Sequence, residues 1–582
     1  MLWGYIMKQF MYYQMRAYFY PRESNNSVGF KLTELEQLWY YSAKNVKRKL
    51  KEFVVDGKIV YIPGIGRGNS SKISFNQTFQ LEIEEEVKKL VRQNQIEYIM
   101  QLIQLPIPKS WIAKISTGVQ QLFGLQTVKD SGDILRTIIS RKITSIDPLY
   151  ASMNFESFLL KQLGDTLVTY DEKEDCIKPH LAHHWEVSDD FKHWVFYLRK
   201  GVRFHNQSVL TSEDVKFTFK RIQENHSPYQ WLVEDIVEVN CLSAYKMEFK
   251  LRNSNPFFLR YISSPNLVIL TKDEPFSEHN WIGTGPFQMK KFTDKTLVLR
   301  AFDSYFLTRP LIDEVEIYSV DYETSKFLTS YEINNDGKAQ EPVSKEALEV
   351  GFRFLAFNFN KETIIHNPFI REAFYHLFDI IQMAKDLERT NLKESSSYFY
   401  WKSIPQKKDK KLVASLLNKA NYQGEVLTVF TVGYPSYINE ANWLKREANE
   451  FGLNLVIETY QLDELYGNRI EEADLLFMGE VASTDYHLSF IGAFLNKSLI
   501  FNRFFSDSQL EYIKKVFEQI KMESDKGKRE VLIEQVESYI KRENLFIYLY
   551  HPIKRRSFHP LIRNVEFDSF GFIDLQKIWI KQ

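Results

Sequence analysis

Ser42-Ala-Lys-Asn-Val-Lys-Arg-Lys-Leu-Lys-Glu-Phe53 reads as one helix with two unlike faces. Val46, Leu50 and Phe53 recur at helical spacing and supply an apolar side, whereas Lys44, Asn45, Lys47, Arg48 and Lys51 are left for solvent or a partner. Ser42 stands where an N-cap opens a helix, and Gly57 where a C-cap closes one. Upstream, Leu32, Leu35, Leu38 and Trp39 mark out another helix, separated from the first only by the Trp39-Tyr-Tyr41 corner. Two short helices joined so tightly make a helix-turn-helix, whose second helix enters the major groove of DNA. Downstream, Ile59-Val-Tyr-Ile62 and Lys72-Ile-Ser-Phe75 are strands by their β-branched and aromatic residues, and Pro63-Gly-Ile-Gly-Arg-Gly-Asn69 turns between them. That hairpin is the wing of a winged helix. Arg67 at its tip, with Asn69 and Lys72 beside it, is expected at a phosphate or in a minor groove. The glycines are not a dinucleotide fingerprint, because no helix follows them. Ahead of these elements, Tyr12 to Phe19 reads as a short aromatic helix closed by Pro21 and the Ser24-Asn-Asn-Ser27 turn.

Charge is unevenly spread. Lys plus Arg (75) match Asp plus Glu (75) over 582 residues, but residues 1–76 hold 12 basic against 5 acidic side chains, a net of +7 that leaves −7 on the remainder. A small basic head on a mildly acidic body is the pattern of a nucleic-acid-binding module fused to something else. Hydrophobic residues at 44% and charged residues at 26% exclude a disordered chain, and aromatics at 15% suit concave ligand sites as well as a core. With only Cys176 and Cys241, a disulfide framework and a cysteine-rich zinc site are excluded. The first ten residues lack the pattern of an export signal, and no run of about 18 apolar residues occurs. The chain is expected to act in the cytoplasm, without a membrane partner.

From Leu81 to about Leu125 the residues are helical and mixed in charge, with a break at Pro106-Ile-Pro108, and read as a connector over 77–130. From about Asp133 onward strands and helices alternate, as in an α/β fold. There, Leu181-Ala-His-His-Trp-Glu-Val-Ser-Asp-Asp190, Trp194-Val-Phe-Tyr-Leu-Arg-Lys-Gly-Val-Arg-Phe-His205 and Leu210-Thr-Ser-Glu-Asp-Val-Lys-Phe-Thr-Phe219 resemble the signature stretch of the oligopeptide- and nickel-type solute-binding proteins of ABC transporters. Gly283 to Phe292, Pro310 to Ile317, Phe354 to Asn360 with Ile370 to Phe374, and Leu412 to Tyr422 resemble later parts of the same family, in order. This resemblance implies a two-lobed α/β periplasmic-binding-protein-like domain of class II, oligopeptide type, over 131–582. Lobe one is expected at about 131–325 and 500–582, and lobe two at about 326–499. Ser42 to Phe53 with Gly64 to Phe75 is similar to the SgrR-type regulators, which join such a domain to a winged helix. The expected fold is therefore multidomain, an α+β winged helix-turn-helix over 1–76 followed by the connector and the two-lobed domain.

His180, His183, His184, His193 and His205 cluster in the sequence, but no carboxylate or cysteine completes a metal-ligand spacing, so no metal is assigned. No nucleophile elbow, Walker loop or His-Glu-x-x-His motif is present, and neither catalysis nor a cofactor is expected. Asp485, in Glu480-Val-Ala-Ser-Thr-Asp-Tyr-His-Leu-Ser-Phe490, resembles the family's Asp-Tyr segment near the cleft, without the proline that usually follows it. The resemblance implies a carboxylate that pairs with a ligand's amino group, with Tyr486 and Phe490 as aromatic neighbours. Arg353 and Arg371 carry guanidinium forks suited to phosphate or carboxylate. The whole reads as a ligand-responsive regulator that binds double-stranded DNA and senses a sugar phosphate, a peptide or a related small molecule. The alternatives are a solute-binding component of an oligopeptide-type ABC transporter and an intracellular scavenger, which salt-dependent DNA binding by residues 1–76 separates from the first reading.

Overall fold

The computed structural model describes residues 2–64, 70–128, 132–328, 343–348, 350–483, 485–558, 562–566 and 572–581. Arg67 and Asn69 of the expected wing lie outside them. The chain forms two compact units. The first comprises Met1–Thr127, Ile134–Arg141 and Glu316–Pro342, and the second Val128–Asp133, Lys142–Val315 and Val343–Gln582.

The first unit opens with α1 (Leu2–Phe19), longer than the aromatic helix expected from Tyr12, since no proline interrupts the chain before Pro21. Part of the expected turn is a strand instead: Asn25 and Asn26 adopt φ of +49° and +54°, and this tight reversal aims Ser27 onward into pairing as β1 (Ser27–Phe30). Next come α2 (Leu32–Trp39) and α3 (Ala43–Val55), joined by the corner at Tyr40, whose φ of +53° ends α2. Gly57, at φ +70°, turns the chain out of α3 into β2 (Ile59–Ile62), which pairs with β3 (Ser71–Phe75). The sheet order is β1-β3-β2, antiparallel throughout, with Val28 opposite Ile73 and Ile59 opposite Phe75. This is a helix-turn-helix followed by a β-hairpin.

Residues expected to form only a connector supply α4 (Phe79–Arg92), α5 (Ile96–Ile103) and α6 (Lys109–Gln120), and their apolar faces share the winged helix's core. Phe79, Ile83, Ile99 and Ile112 are buried in one cluster with Tyr12, Leu35, Val46, Leu50 and Phe53. Arg16 ties α1 to α4. It is fully buried, pairs with Glu23 at 3.0 Å and Glu82 at 3.3 Å, and lies 3.7 Å from the Phe75 ring centroid. Tyr12 donates to both oxygens of Glu82, at 3.0 and 2.9 Å. A later stretch returns to this unit: Gln104 donates to the Ser319 carbonyl at 2.7 Å, Lys109 pairs with Asp321, and Leu328 joins the core.

In the second unit, the strands Ile236–Ser243, Lys246–Leu251, His193–Leu198 and Ala182–Val187 form an antiparallel sheet in that order. Helix Ser212–Glu224 packs on it through Phe219, which meets Phe249 at 4.8 Å. A mixed sheet follows, ordered Asn454–Tyr460, Val426–Val432, Leu475–Val481, Gly351–Phe357 and Phe546–Tyr548. Its first three strands run parallel, with helix Pro435–Asn449 connecting two of them. Gly283 and Gly285 allow the chain to pass against Leu163, since a Cβ at either would fall 2.2 and 2.4 Å from that residue's backbone. Among the described residues no helix is long and apolar enough to cross a membrane.

Candidate functional site

Successive helical residues advance by about 100°, so Lys44, Lys47, Arg48 and Lys51 share one stripe of α3, opposite Val46, Leu50 and Phe53. The cations are exposed and the three apolar residues are buried. Arg48 approaches Glu52 at 4.0 Å, while Lys44, Lys47 and Lys51 make no ion pair among the described residues. Asn45 flanks the stripe half-buried, and Lys72 is exposed on β3. Ser42 occupies the N-cap position, although its hydroxyl makes no capping bond; its carbonyl accepts from Val46 N at 3.0 Å. Tyr40, 93% exposed, stands at the corner where α2 gives way to α3. Lys58, by contrast, is withdrawn from this surface over the Tyr12 ring at 4.3 Å, where burial lowers its pKa. The arrangement is a row of exposed cations, three of them without an ion pair among the described residues, on the second helix of a helix-turn-helix beside a hairpin, which is the geometry for a phosphate-lined groove.

The second unit contains a cavity of about 340 Å³ lined by Gln162, Asp165, Tyr170, His180, Ser264 and, from the segment before helix Tyr486–Leu495, Ser483 and Asp485. Asp485 is 3% exposed, and its Oδ1 caps that helix by accepting from Leu488 N at 3.0 Å. The ammonium expected opposite this carboxylate is replaced by a protein group: Arg260 donates to Asp485 Oδ1 at 2.8 Å and to Asp175 Oδ1 at 2.7 Å. Lys526 completes the cluster on Asp175. Burial raises the Asp485 carboxyl and Arg260 pulls it back, whereas Asp175, held by Lys526, Tyr170 and Arg260, lies well below the usual carboxylate range. Asp485 Oδ2 is buried without a partner.

The aromatic neighbours are placed differently from the expectation. Phe490 is fully buried, packed on Tyr398, Phe399 and Phe494, because it lies on the inward face of its helix. Tyr486 is half-buried, with its ring against Phe399 and Trp401 and its hydroxyl donating to Glu530 at 3.3 Å. Neither lines the cavity. Arg371 donates to the carbonyls of Glu543, Ile365 and His366, so its fork is spent on backbone. The Arg353 side chain makes no hydrogen bond or ion pair among the described residues and lies over the Tyr437 ring at 3.9 Å.

Three of the clustered histidines are engaged by the fold, while His183 and His184 are exposed. His180 meets Asp165 at 2.7 Å, His193 lies 3.4 Å from Glu248, and His205 accepts from Gly283 N at 3.2 Å while its other ring nitrogen faces the Gly285 carbonyl at 3.1 Å. Among the described residues no group of three or more His, Cys, Asp or Glu side chains is arranged to hold a metal.

Residues 177–501 match the profile of the bacterial extracellular solute-binding proteins, family 5, in its middle part. The chain belongs to that family. Residues 8–121 match the N-terminal domain of the sugar transport-related sRNA regulators. Over 566 residues, 95% of this chain and 96% of the other, the sequence is 25% identical to the Bacillus subtilis protein YhjP. It is 27% identical over 333 residues to the HTH-type transcriptional regulator SgrR of Pectobacterium atrosepticum, an alignment spanning 56% of this chain and 57% of the regulator. The periplasmic binding protein DppA of Helicobacter pylori, solved with the peptide STSA, superposes with a TM-score of 0.67 at 20% identity, over 77% of this chain and 98% of DppA. The family 5 domain is thus two-lobed, as expected, and is preceded by a regulator-type N-terminal domain.

Sequence reasoning missed two groups in the family 5 domain. Arg260 lies 225 residues from Asp485, and nothing local to Phe257-Phe-Leu-Arg260 signals the pairing. Glu480, half-buried on strand Leu475–Val481, has a carboxylate with no hydrogen bond or ion pair among the described residues, and burial pushes it up to about 8.

Proposed function

We propose that the chain is a transcription regulator that acts in the cytoplasm, binding double-stranded DNA through α3 and the hairpin after it. Its family 5 domain senses a small molecule or peptide. The observation that carries this reading is the unpaired stripe Lys44, Lys47 and Lys51 on the second helix of a helix-turn-helix, in a chain whose later residues match solute-binding proteins. Similarity to SgrR regulators supports the same pairing of roles. Functionally the chain divides into a reading head over 1–76, a connector over 77–130 whose helices Phe79–Arg92, Ile96–Ile103 and Lys109–Gln120 share the head's core, and a sensor over 131–582. A transport component needs a solute-binding domain but not a basic winged helix. Ligand control follows when the small molecule binds one conformation of the sensor better than another and the two conformations differ in DNA affinity.

Anisotropy of labelled duplex DNA, titrated with the full chain at rising salt, tests the DNA half of this reading. The logarithm of the affinity is expected to fall linearly with the logarithm of salt, by about 0.9 for each phosphate contacted. No binding at low salt overturns it.

A further inference from the structure

We infer that a second cavity of the family 5 domain, apart from the one at Asp485, binds a small organic anion with an apolar body, and that Trp231 donates to it. The cavity encloses about 510 Å³, within the range of about 300–1,000 Å³ that small-molecule sites occupy. It shares no lining residue with the cavity at Asp485, so the sensor reading does not depend on it. Local bonds set its walls. Ser227 Oγ donates to the Leu149 carbonyl at 2.7 Å and Gln230 Nε2 to the Asn225 carbonyl at 2.6 Å, which fixes the loop after helix Ser212–Glu224. Helix Asp507–Met522, which contributes Lys514 and Phe517, is tied to the same region by the buried pair of Lys521 with Asp235 at 2.6 Å. A cavity held in this way is formed before a ligand arrives, and binding needs little further ordering.

Trp231 sets the ligand's chemistry. It lines the cavity and is 9% exposed, yet its Nε1 is buried without a partner. One edge of the indole runs along helix Tyr486–Leu495: a Cβ at Gly492 would lie 3.3 Å from Trp231 Cζ2, and Leu495, three residues on, lines the cavity. A buried N–H without an acceptor is a standing cost, and a molecule that brings an acceptor removes it. Arg252, Lys497 and Lys514 also line the cavity, are exposed, and make no ion pair among the described residues. Of the two acids there, Glu518 is held by Lys521 at 2.9 Å, which leaves three cations to the one carboxylate of Glu234. Pro228, Leu495 and Phe517 supply an apolar wall. A carboxylate or phosphate on a hydrocarbon body uses the donor, the cations and the wall together, whereas an inorganic ion or a neutral hydrocarbon does not.

Fluorine NMR of the full chain labelled with 5-fluorotryptophan tests the site. The chain has ten tryptophans, and the resonance lost in Trp231→Phe is that of Trp231. Benzoate and phenyl phosphate are the probes, with acetate and benzyl alcohol as controls at equal ionic strength. The Trp231 resonance is expected to move saturably with benzoate, phenyl phosphate or both, and the tighter of them names the anionic group. Acetate and benzyl alcohol are expected to bind at least about tenfold more weakly. Replacing Lys497 and Lys514 together with glutamine is expected to weaken the better probe by about fivefold, the summed effect of two exposed charges. A Trp231 resonance unmoved by millimolar concentrations of both anions overturns the site, even if other tryptophans respond. Benzyl alcohol binding as tightly as the anions, or a double variant that binds them like wild type, overturns it as well.

Discussion

Replacing Lys44, Lys47 and Lys51 together with alanine is expected to weaken duplex DNA binding by two to three orders of magnitude at about 0.1 M salt, and to reduce the salt slope by about 2.7. Each lysine is exposed and unpaired, so each is free to neutralise one phosphate and release one counterion. The three lie at i, i+3 and i+7, on the side of α3 away from Val46, Leu50 and Phe53, and their removal leaves the core intact. Stability should therefore change by no more than about 0.5 kcal/mol. An unchanged salt slope would show that DNA, if bound, is held by another surface.

Arg16→Met is expected to destabilise the first unit by about 3–5 kcal/mol, because it removes one partner of a buried charge cluster and strands the others. Glu23 and Glu82 both face Arg16, and burial already raises both carboxyls. Calorimetry of the full chain should show the transition of the first unit moving down by roughly 10 °C or more. Adding Glu23→Gln and Glu82→Gln to Arg16→Met should recover part of the loss, since a neutral, similarly sized cluster no longer buries uncompensated charge. A loss below 1 kcal/mol would mean that the cluster is not what joins α1 to α4.

Period and punctuation made the winged helix legible. The spacing of Val46, Leu50 and Phe53, the corner after Trp39 and the stop at Gly57 are local signals, and they mark out the elements found there. β1 was hidden because four residues with Gly29 among them carry little strand signal, and its pairing with β3 spans more than 40 residues. The shared core of α4 to α6 was hidden for a similar reason: amphipathic helices announce a buried face but not what buries it. In the sensor, ordered resemblance identified the fold and drew attention to Asp485, but the ion pair from Arg260 is a tertiary contact with no local trace. Arg353 and Arg371 look alike in sequence. Only the surroundings separate them, with three carbonyls satisfying Arg371 and a glycine and a tyrosine ring leaving Arg353 unpaired.

The claim that one chain both senses a small molecule and binds DNA is tested most directly by measuring DNA affinity with and without a compound that stabilises the chain. A panel of peptides, amino acids and phosphorylated metabolites, screened by melting temperature, supplies that compound. At saturating concentration it is expected to change the affinity for duplex DNA by at least about fivefold, the lower end of ordinary coupling between sites. A compound that saturates and stabilises the family 5 domain while leaving DNA affinity unchanged would contradict the account.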